Sequence, residues 1–333
     1  MDRLPNELLL LLRQYFDDDI LTKLVLSNCS HRLQSLFDPP RVYSSLHLSC
    51  IGARELQLIQ HLLRRPDLAR LVHHAYFGIE RSYPPDSGYR SGACYPRCNS
   101  IIKHMVEEIC EFENEKCWWA AHLRDFSDDA WLGALLTRLN NLRSITLAYG
   151  DQGFMNSIFD KAASRQGPFR TTTPFPLLQK VTLTNNCSWF QCTSGYPRGL
   201  FHLPAVRTIE GVRVWGSVPC CDSWDFCGVK GRTSPVTELV MSPVYGCQDM
   251  GDWIAACSKL ERLQVDIGIM QYLNYIFDPI AFRKCLVPCI KTLKDLSLTF
   301  HISYQEDRAL QRGGEIYLHL LRDDLLCQRM WVS

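Results

Sequence analysis

LRSITL (142–147), LQKVTL (178–183), VTELVM (236–241), LERLQV (260–265) and LKDLSL (293–298) are five copies of one pattern, Leu-x-x-Leu-x-Leu, with Val, Ile and Met admitted at the apolar places. A degraded copy, VRTIEGV, occupies 206–212. Successive copies start 36, 28, 30, 24 and 33 residues apart. The last two apolar positions alternate at period two, as in a strand with one buried face. Helical windows separate the copies: AWLGALLTRL (130–139) with Ser127 placed to cap it, WIAACSKL (253–260) after Asp252, and AFRKCLVPCIKTL (281–293). Strand and helix repeated at this spacing predict an α/β chain whose parallel strands stack into one curved sheet, a leucine-rich-repeat-like solenoid. Leu142, Leu147, Leu178, Leu183, Leu239, Leu263, Leu296 and Leu298 are then expected in one continuous core. Asn186 alone matches the Asn that follows the strand in regular repeats, so the copies are irregular. A general α/β domain with leucine-rich strands is the alternative.

Upstream, LLRRPDLARLVHHAYF (62–77) reads as a first helix–strand unit. An insertion follows at about 78–128. It opens with the turn-rich GIERSYPPDSGYRSGACYPRCN (78–99) and continues into a helix expected over 101–123, capped by Asn99 or Ser100. Downstream, Gly313-Gly314 breaks the chain, and EIYLHLLRDDLLCQRMW (315–331) reads as an amphipathic helix closing the end of the repeats.

The chain has 333 residues, 46% hydrophobic and 21% charged, with a net charge of +1. No global field therefore points to nucleic acid or to an anionic membrane surface. Leu8 to Leu12 is the longest leucine run. It is shorter than the roughly 7–15 apolar residues of a secretory segment and the roughly 18 of a membrane span. A cytoplasmic or nuclear protein is expected. The 16 cysteines then read as reduced thiols used as small apolar side chains.

The N-terminal stretch LPNELLLLLRQYFDDDILTKLVLSN (4–28) predicts short helices. Pro5 suits a first turn, and Glu7 favours the positive end of the helix dipole. Leu8 to Leu12 and Phe16 make the first helix apolar on more than one face, so it needs partners on two sides. Asp17, Asp18 and Asp19 end it and offer a cap for a second helix carrying Ile20, Leu21, Leu24 and Val25. A third, with Leu33, Leu36 and Phe37, stops at Pro39-Pro40.

On Leu4, Pro5, Glu7, Leu8, Leu24, Leu26, Ser27, Leu33, Leu46 and Leu48, this segment resembles an F-box, a three-helix module placed here at 1–48. The layout with a repeat domain over 49–333 is similar to fungal-type F-box proteins. The resemblance implies docking to the Skp-type adaptor of a cullin-RING (SCF) ubiquitin ligase, through Leu4, Pro5, Leu8, Leu9, Ile20 and Leu24. It also implies a target protein held by the repeats. Two alternatives stand beside it: a helical cap on the repeat domain, and a repeat scaffold that recruits no ligase.

Motifs of catalysis are absent: no H-E-x-x-H, P-loop, G-x-G-x-x-G or G-x-S-x-G occurs. A non-catalytic protein without cofactor is expected. Cys94, Cys98, His104, Cys110 and Cys117 form the best zinc candidate, but no tight second pair follows the first, and no metal is expected. Two post-strand stretches, NNCSWFQCTSGYPRGLF (185–201) and VWGSVPCCDSWDFCGVKGRTSP (214–235), are long and rich in aromatic residues. Loops on a rigid scaffold commonly carry binding. Trp189, Phe190, Tyr196, Arg198, Trp215, Trp224 and Phe226 are therefore the candidate target-binding residues, rimmed by Lys230 and Arg232. The alternative is that these aromatics fill a small local core.

Overall fold

The computed structural model describes residues 43–49, 51–78, 99–149, 153–185, 198–212, 234–244, 253–269 and 279–302, with scattered positions between 5 and 33. Eight strands lie among them: β1 (Ser45–Leu48), β2 (His74–Gly78), β3 (Ser144–Tyr149), β4 (Lys180–Asn185), β5 (Thr208–Val212), β6 (Glu238–Val244), β7 (Arg262–Ile269) and β8 (Asp295–Ile302). All pair in parallel, and their order across the sheet is their order along the chain. A stack of strand–helix units produces this order, because each unit returns the chain to lay its strand beside the last. Every copy of the sequence pattern, the degraded one included, begins two residues before its strand.

The pattern's three apolar places have distinct roles. The first (Leu142, Leu178, Val206, Val236, Leu260) is buried just before each strand. The second runs across the sheet in register as Leu46, Ala75, Ile145, Val181, Ile209, Leu239, Leu263 and Leu296. The third continues the same face as Leu147, Leu183, Met241 and Val265, all buried. Each such side chain stabilises the stack by roughly 1.5–3 kcal/mol.

Six of the eight predicted core leucines are buried. Leu296 is not: it is 43% exposed, and Leu298 is only partly buried. Leu296 has β7 on one side and no described element on the other.

A second regularity is in the backbone. The N–H before each strand donates to the carbonyl before the preceding one: Arg143 to His73 at 2.7 Å, Gln179 to Arg143, Arg207 to Gln179 and Thr237 to Arg207 at 2.9 Å, and Glu261 to Thr237 and Lys294 to Glu261 at 2.8 Å. This ladder satisfies backbone groups that loops would otherwise leave unpaired. It fixes where each strand starts, whatever the length of the segment before it.

The sheet begins inside the segment that resembles an F-box, because β1 pairs with β2. Leu9, Leu33 and Tyr43 are buried in the same cluster as Leu46 and Leu48. The helix of the first unit is α1 (Ala53–Arg64), followed by a short turn of helix at Pro66–Ala69.

Residues 101–123, expected as one helix, form two: α2 (Asn99–Ile109) and α3 (Glu113–Arg124). The break frees Glu111 to accept the Gly167 N–H at 3.1 Å and to pair with Arg170 at 2.7 Å. Two partly buried ion pairs, Arg138–Glu108 and Lys161–Glu115, tie the same helices to the repeat body. On α3, Trp119 is fully buried over Gly133 of α4 (Asp128–Leu136). A Cβ on Gly133 would lie 3.1 Å from the indole, so the two helices pack closely there. The Trp131 indole N–H donates to the Leu123 carbonyl at 3.0 Å.

Ser127 stands at the N-terminal boundary of α4, as the sequence predicts, but its side chain makes no capping bond. The capping carboxylate of this region acts across elements. Buried Asp129 accepts the backbone N–H of Phe154 at 2.6 Å and of Met155 at 3.1 Å, at the start of α5 (Gly153–Ser164). α5 and α4 pack together. The last helix among the described residues, α6 (Pro279–Leu286), precedes β8. The segment 315–331 lies outside the described residues.

Leu263→Asp is expected to abolish soluble expression, because the charge would be fully buried and unpaired within the register row. Glu261→Lys removes only the exposed 2.8 Å pair with Lys294, a loss of about 0–1 kcal/mol. Thermal unfolding of the soluble variant and the soluble yield of both check this register.

Candidate interaction surfaces

The face of the sheet opposite the core is polar and crossed by a network. Lys180 pairs with Glu210 at 2.6 Å, and Thr182 donates to the same carboxylate at 3.0 Å. Thr208 and Arg262 each reach Glu238 at 3.0 Å, and Arg262 approaches Asp295 at 3.5 Å. Thr299 donates to Asp266. Toward β1 the same face turns aromatic. His47 stacks on Tyr76 with ring centroids 4.2 Å apart, and His74 Nδ1 lies 2.7 Å from Ser144 Oγ. These cross-strand pairs are the expected companions of a buried opposite face.

At the N-terminus, the Leu9 N–H donates to the Pro5 carbonyl at 3.2 Å, closing a helical turn. Leu8, Leu11 and Tyr15 are helical and follow i, i+3, i+7 spacing, so they share one stripe. They are 47%, 58% and 83% exposed. Leu9, expected among the adaptor-binding residues, instead points into the core. Leu11 and Tyr15 were legible as part of the same stripe from spacing alone, but a run of five leucines shows no preferred face. Leu4, Ile20 and Leu24 lie outside the described residues.

So do Trp189, Phe190, Tyr196, Trp215, Trp224, Phe226, Lys230 and Arg232. Arg198 opens a 3₁₀ turn, Arg198–His202, and its side chain lies outside the described part. The strands that lead into the two aromatic stretches are neighbours, with Thr184 in register with Val212. Both stretches therefore leave the same edge of the sheet from adjacent strands. Further along the chain, close packing sets the Arg198–His202 turn. A Cβ on Gly199 would meet the Phe159 carbonyl at 2.5 Å.

Of the zinc candidates, Cys94 and Cys98 lie outside the described residues. His104 is exposed and 3.8 Å from Glu108, Cys117 is exposed, and Cys110 is buried. Among the described residues, no three His, Cys, Asp or Glu side chains are grouped as metal ligands. Burial pushes the thiols of Cys110 and Cys257 up to about 12, and that of Cys289 up as well. These three are neutral core side chains. Burial also lowers the pKa of His202. No helix among the described residues is long and apolar enough to cross a membrane. No protein-family model matches the chain, and no curated protein matches it in sequence.

The thiolate is the species that reacts. In the folded protein, Cys29 and Cys117 are therefore expected to alkylate quickly at neutral pH, and Cys110, Cys257 and Cys289 only after denaturation. Peptide mapping of timed iodoacetamide labelling reads this directly. Fast native labelling of Cys257 would contradict its place in the core.

Proposed function

We propose that this chain is a non-catalytic, substrate-recognition subunit of an SCF-type ubiquitin ligase, working in the cytoplasm or nucleus. In this reading residues 1–48 are an F-box that docks the Skp-type adaptor. The stacked strand–helix units are a leucine-rich-repeat-like solenoid that holds a target protein near the ligase core. The observation that carries the reading is the outward stripe Leu8–Leu11–Tyr15 beside inward Leu9. Such a helix is half in its own core and half prepared for another chain. Large apolar side chains aligned on an exposed helix face are the usual anchors of helix recognition.

The target side of the reading rests on topology. β4 and β5 are adjacent and parallel, so the stretches after them start about 4.8 Å apart. The first stretch carries Trp189, Phe190 and Tyr196 and the second Trp215, Trp224 and Phe226, and in this reading they form one target-binding surface. Arg198, Lys230 and Arg232 add positive charge, which suits an acidic or phosphorylated segment.

A second reading keeps the repeats as an interaction scaffold and makes the N-terminal helices a cap. It is favoured by the burial of Leu9, Leu33 and Tyr43 against the first strand.

Adaptor binding separates the two. Leu8→Asp with Leu11→Asp alters side chains that are already exposed, so the melting temperature should move little. Recovery of the Skp-type adaptor in a pull-down should fall by roughly tenfold or more, since one buried leucine is worth about 1.5–3 kcal/mol. No adaptor on the wild-type chain, or equal recovery on the variant, would favour the scaffold.

For the target surface, Trp189→Ala and Trp215→Ala should lower recovery of proteins captured by the full chain while leaving its stability nearly unchanged. If the aromatics instead fill a local core, each substitution should cost about 3–5 kcal/mol of unfolding free energy.

A further inference from the structure

The backbone ladder also lines up the residues at the strand starts, and their charges divide the sheet in two. On the β6 to β8 side, cations and carboxylates satisfy one another. Lys294 meets Glu261 at 2.8 Å, and Arg262 reaches both Glu238 and Asp295. On the β3 to β5 side they do not. Gln179 stands between Arg143 and Arg207, because its N–H donates to the Arg143 carbonyl and its own carbonyl accepts the Arg207 N–H, both at 2.9 Å. All three side chains are exposed, and among the described residues no carboxylate pairs with either arginine. Glu210 of β5 is already held by Lys180 at 2.6 Å. A third exposed arginine, Arg70, joins the same end of the strands, where its carbonyl accepts the Asn141 side-chain amide at 2.7 Å.

We propose that Arg143, Gln179 and Arg207, with Leu177, form a docking surface for an acidic, extended segment of a partner protein. A guanidinium presents a planar fork that takes a carboxylate in two parallel bonds. Arg207 is partly set for this: its Nη1 donates to the carbonyls of Pro204 and Val206, both at 3.0 Å, which leaves Nε and Nη2 for a partner. Fixing the side chain beforehand lowers the ordering cost of binding. Two strand spacings separate Arg143 from Arg207, about 10 Å. An extended chain covers about 10 Å in three residues, so a segment laid across the strand starts meets the two arginines with acidic side chains at i and i+3. Leu177 is two residues before Gln179 and 43% exposed, which adds an apolar anchor. Single-stranded nucleic acid fits less well, because it is held by stacking on aromatic rings and Leu177 is aliphatic. The row lies at the strand starts, whereas the two aromatic stretches leave from the strand ends, and it depends on no ligase role.

The test is fluorescence anisotropy of a fluorescein-labelled peptide, four repeats of Glu-Leu-Gly, titrated with the full chain. Arg143→Glu with Arg207→Glu should weaken binding by roughly tenfold or more, and binding to the wild type should fall as salt rises from about 50 to 300 mM. Leu177→Ser should weaken it by roughly threefold or more. Lys230→Glu with Arg232→Glu, in the second aromatic stretch, should leave it unchanged. All these variants alter exposed or loop positions, and their melting temperatures are read alongside. If charge reversal disturbs the fold, Arg143→Gln with Arg207→Gln keeps the length of the side chains and should show the same direction of loss. Equal affinity of that variant and the wild type would overturn the proposal, as would a wild type that does not bind the peptide at low salt. Loss of binding in the Lys230 and Arg232 variant alone would place the anion site on the aromatic stretch, and so overturn this proposal while supporting the target surface described above. An oligouridylate of the same charge that binds the wild type more tightly than the peptide would assign the row to nucleic acid and overturn the proposal as well.

Discussion

The structure depends on one register row, the buried side chains that run from Leu46 to Leu263 across seven parallel strands. Because side chains alternate along a strand, a slip of one residue in any pairing would send an apolar row to the solvent and a charged one to the core. The backbone ladder before the strands guards against that slip. Each N–H reaches back one unit to a carbonyl at the same level, so every strand starts flush with its neighbour. Strand starts from 24 to 70 residues apart are accommodated because only the start is fixed. The surplus goes into the segments after the strands.

The residues between β2 and β3 show how such a surplus is absorbed. Helices α2 and α3 are built into the body. Trp119 fills the space above Gly133, Trp118 stacks on Phe154 at 3.8 Å, and Glu108, Glu111 and Glu115 meet Arg138, Arg170 and Lys161. The aromatic contacts supply the larger share of the stabilisation, through burial. The ion pairs, partly exposed, contribute less, but they select one angle of docking. The Gly167 N–H and the neighbouring Arg170 charge hold the Glu111 carboxyl below its ordinary pKa. The bond is therefore complete at neutral pH and above the unfolded carboxyl's pKa, and it is lost as acid protonates Glu111 through its lowered value.

The strands were readable because the repeat carries its own register: a period-two pair preceded by an anchor three residues upstream. The degraded copy at 206–212 was readable for the same reason. Ile209 keeps its place, although Gly211 replaces the third apolar residue. The break between α2 and α3 was not readable. Cys110-Glu111-Phe112 contains neither glycine nor proline, and the partner that Glu111 meets at the break, Gly167, lies about 56 positions further along the chain. Leu296 was misplaced because a repeat pattern states which face a side chain takes and is silent on whether another unit follows. Leu9 was misplaced because five consecutive leucines carry no phase, and the phase is set by Leu33, Tyr43 and the first strand.

The satisfied network on the polar face bears on where a partner would bind. Glu210 holds Lys180 and Thr182, and Glu238 holds Arg262 and Thr208, so these carboxylates already have cross-strand partners. A ligand placed on them must displace bonds of similar worth and strip water from the charges it meets, which leaves little net gain. The segments that leave β4 and β5 carry the opposite endowment. They hold aromatic rings, which lose little entropy when they are fixed, and arginines and a lysine whose charge suits a partner's carboxylate or phosphate. In the proposed function, recognition falls to the parts that the register does not constrain. The length variation that the ladder permits is then the same variation that, in the proposed function, makes room for a binding surface.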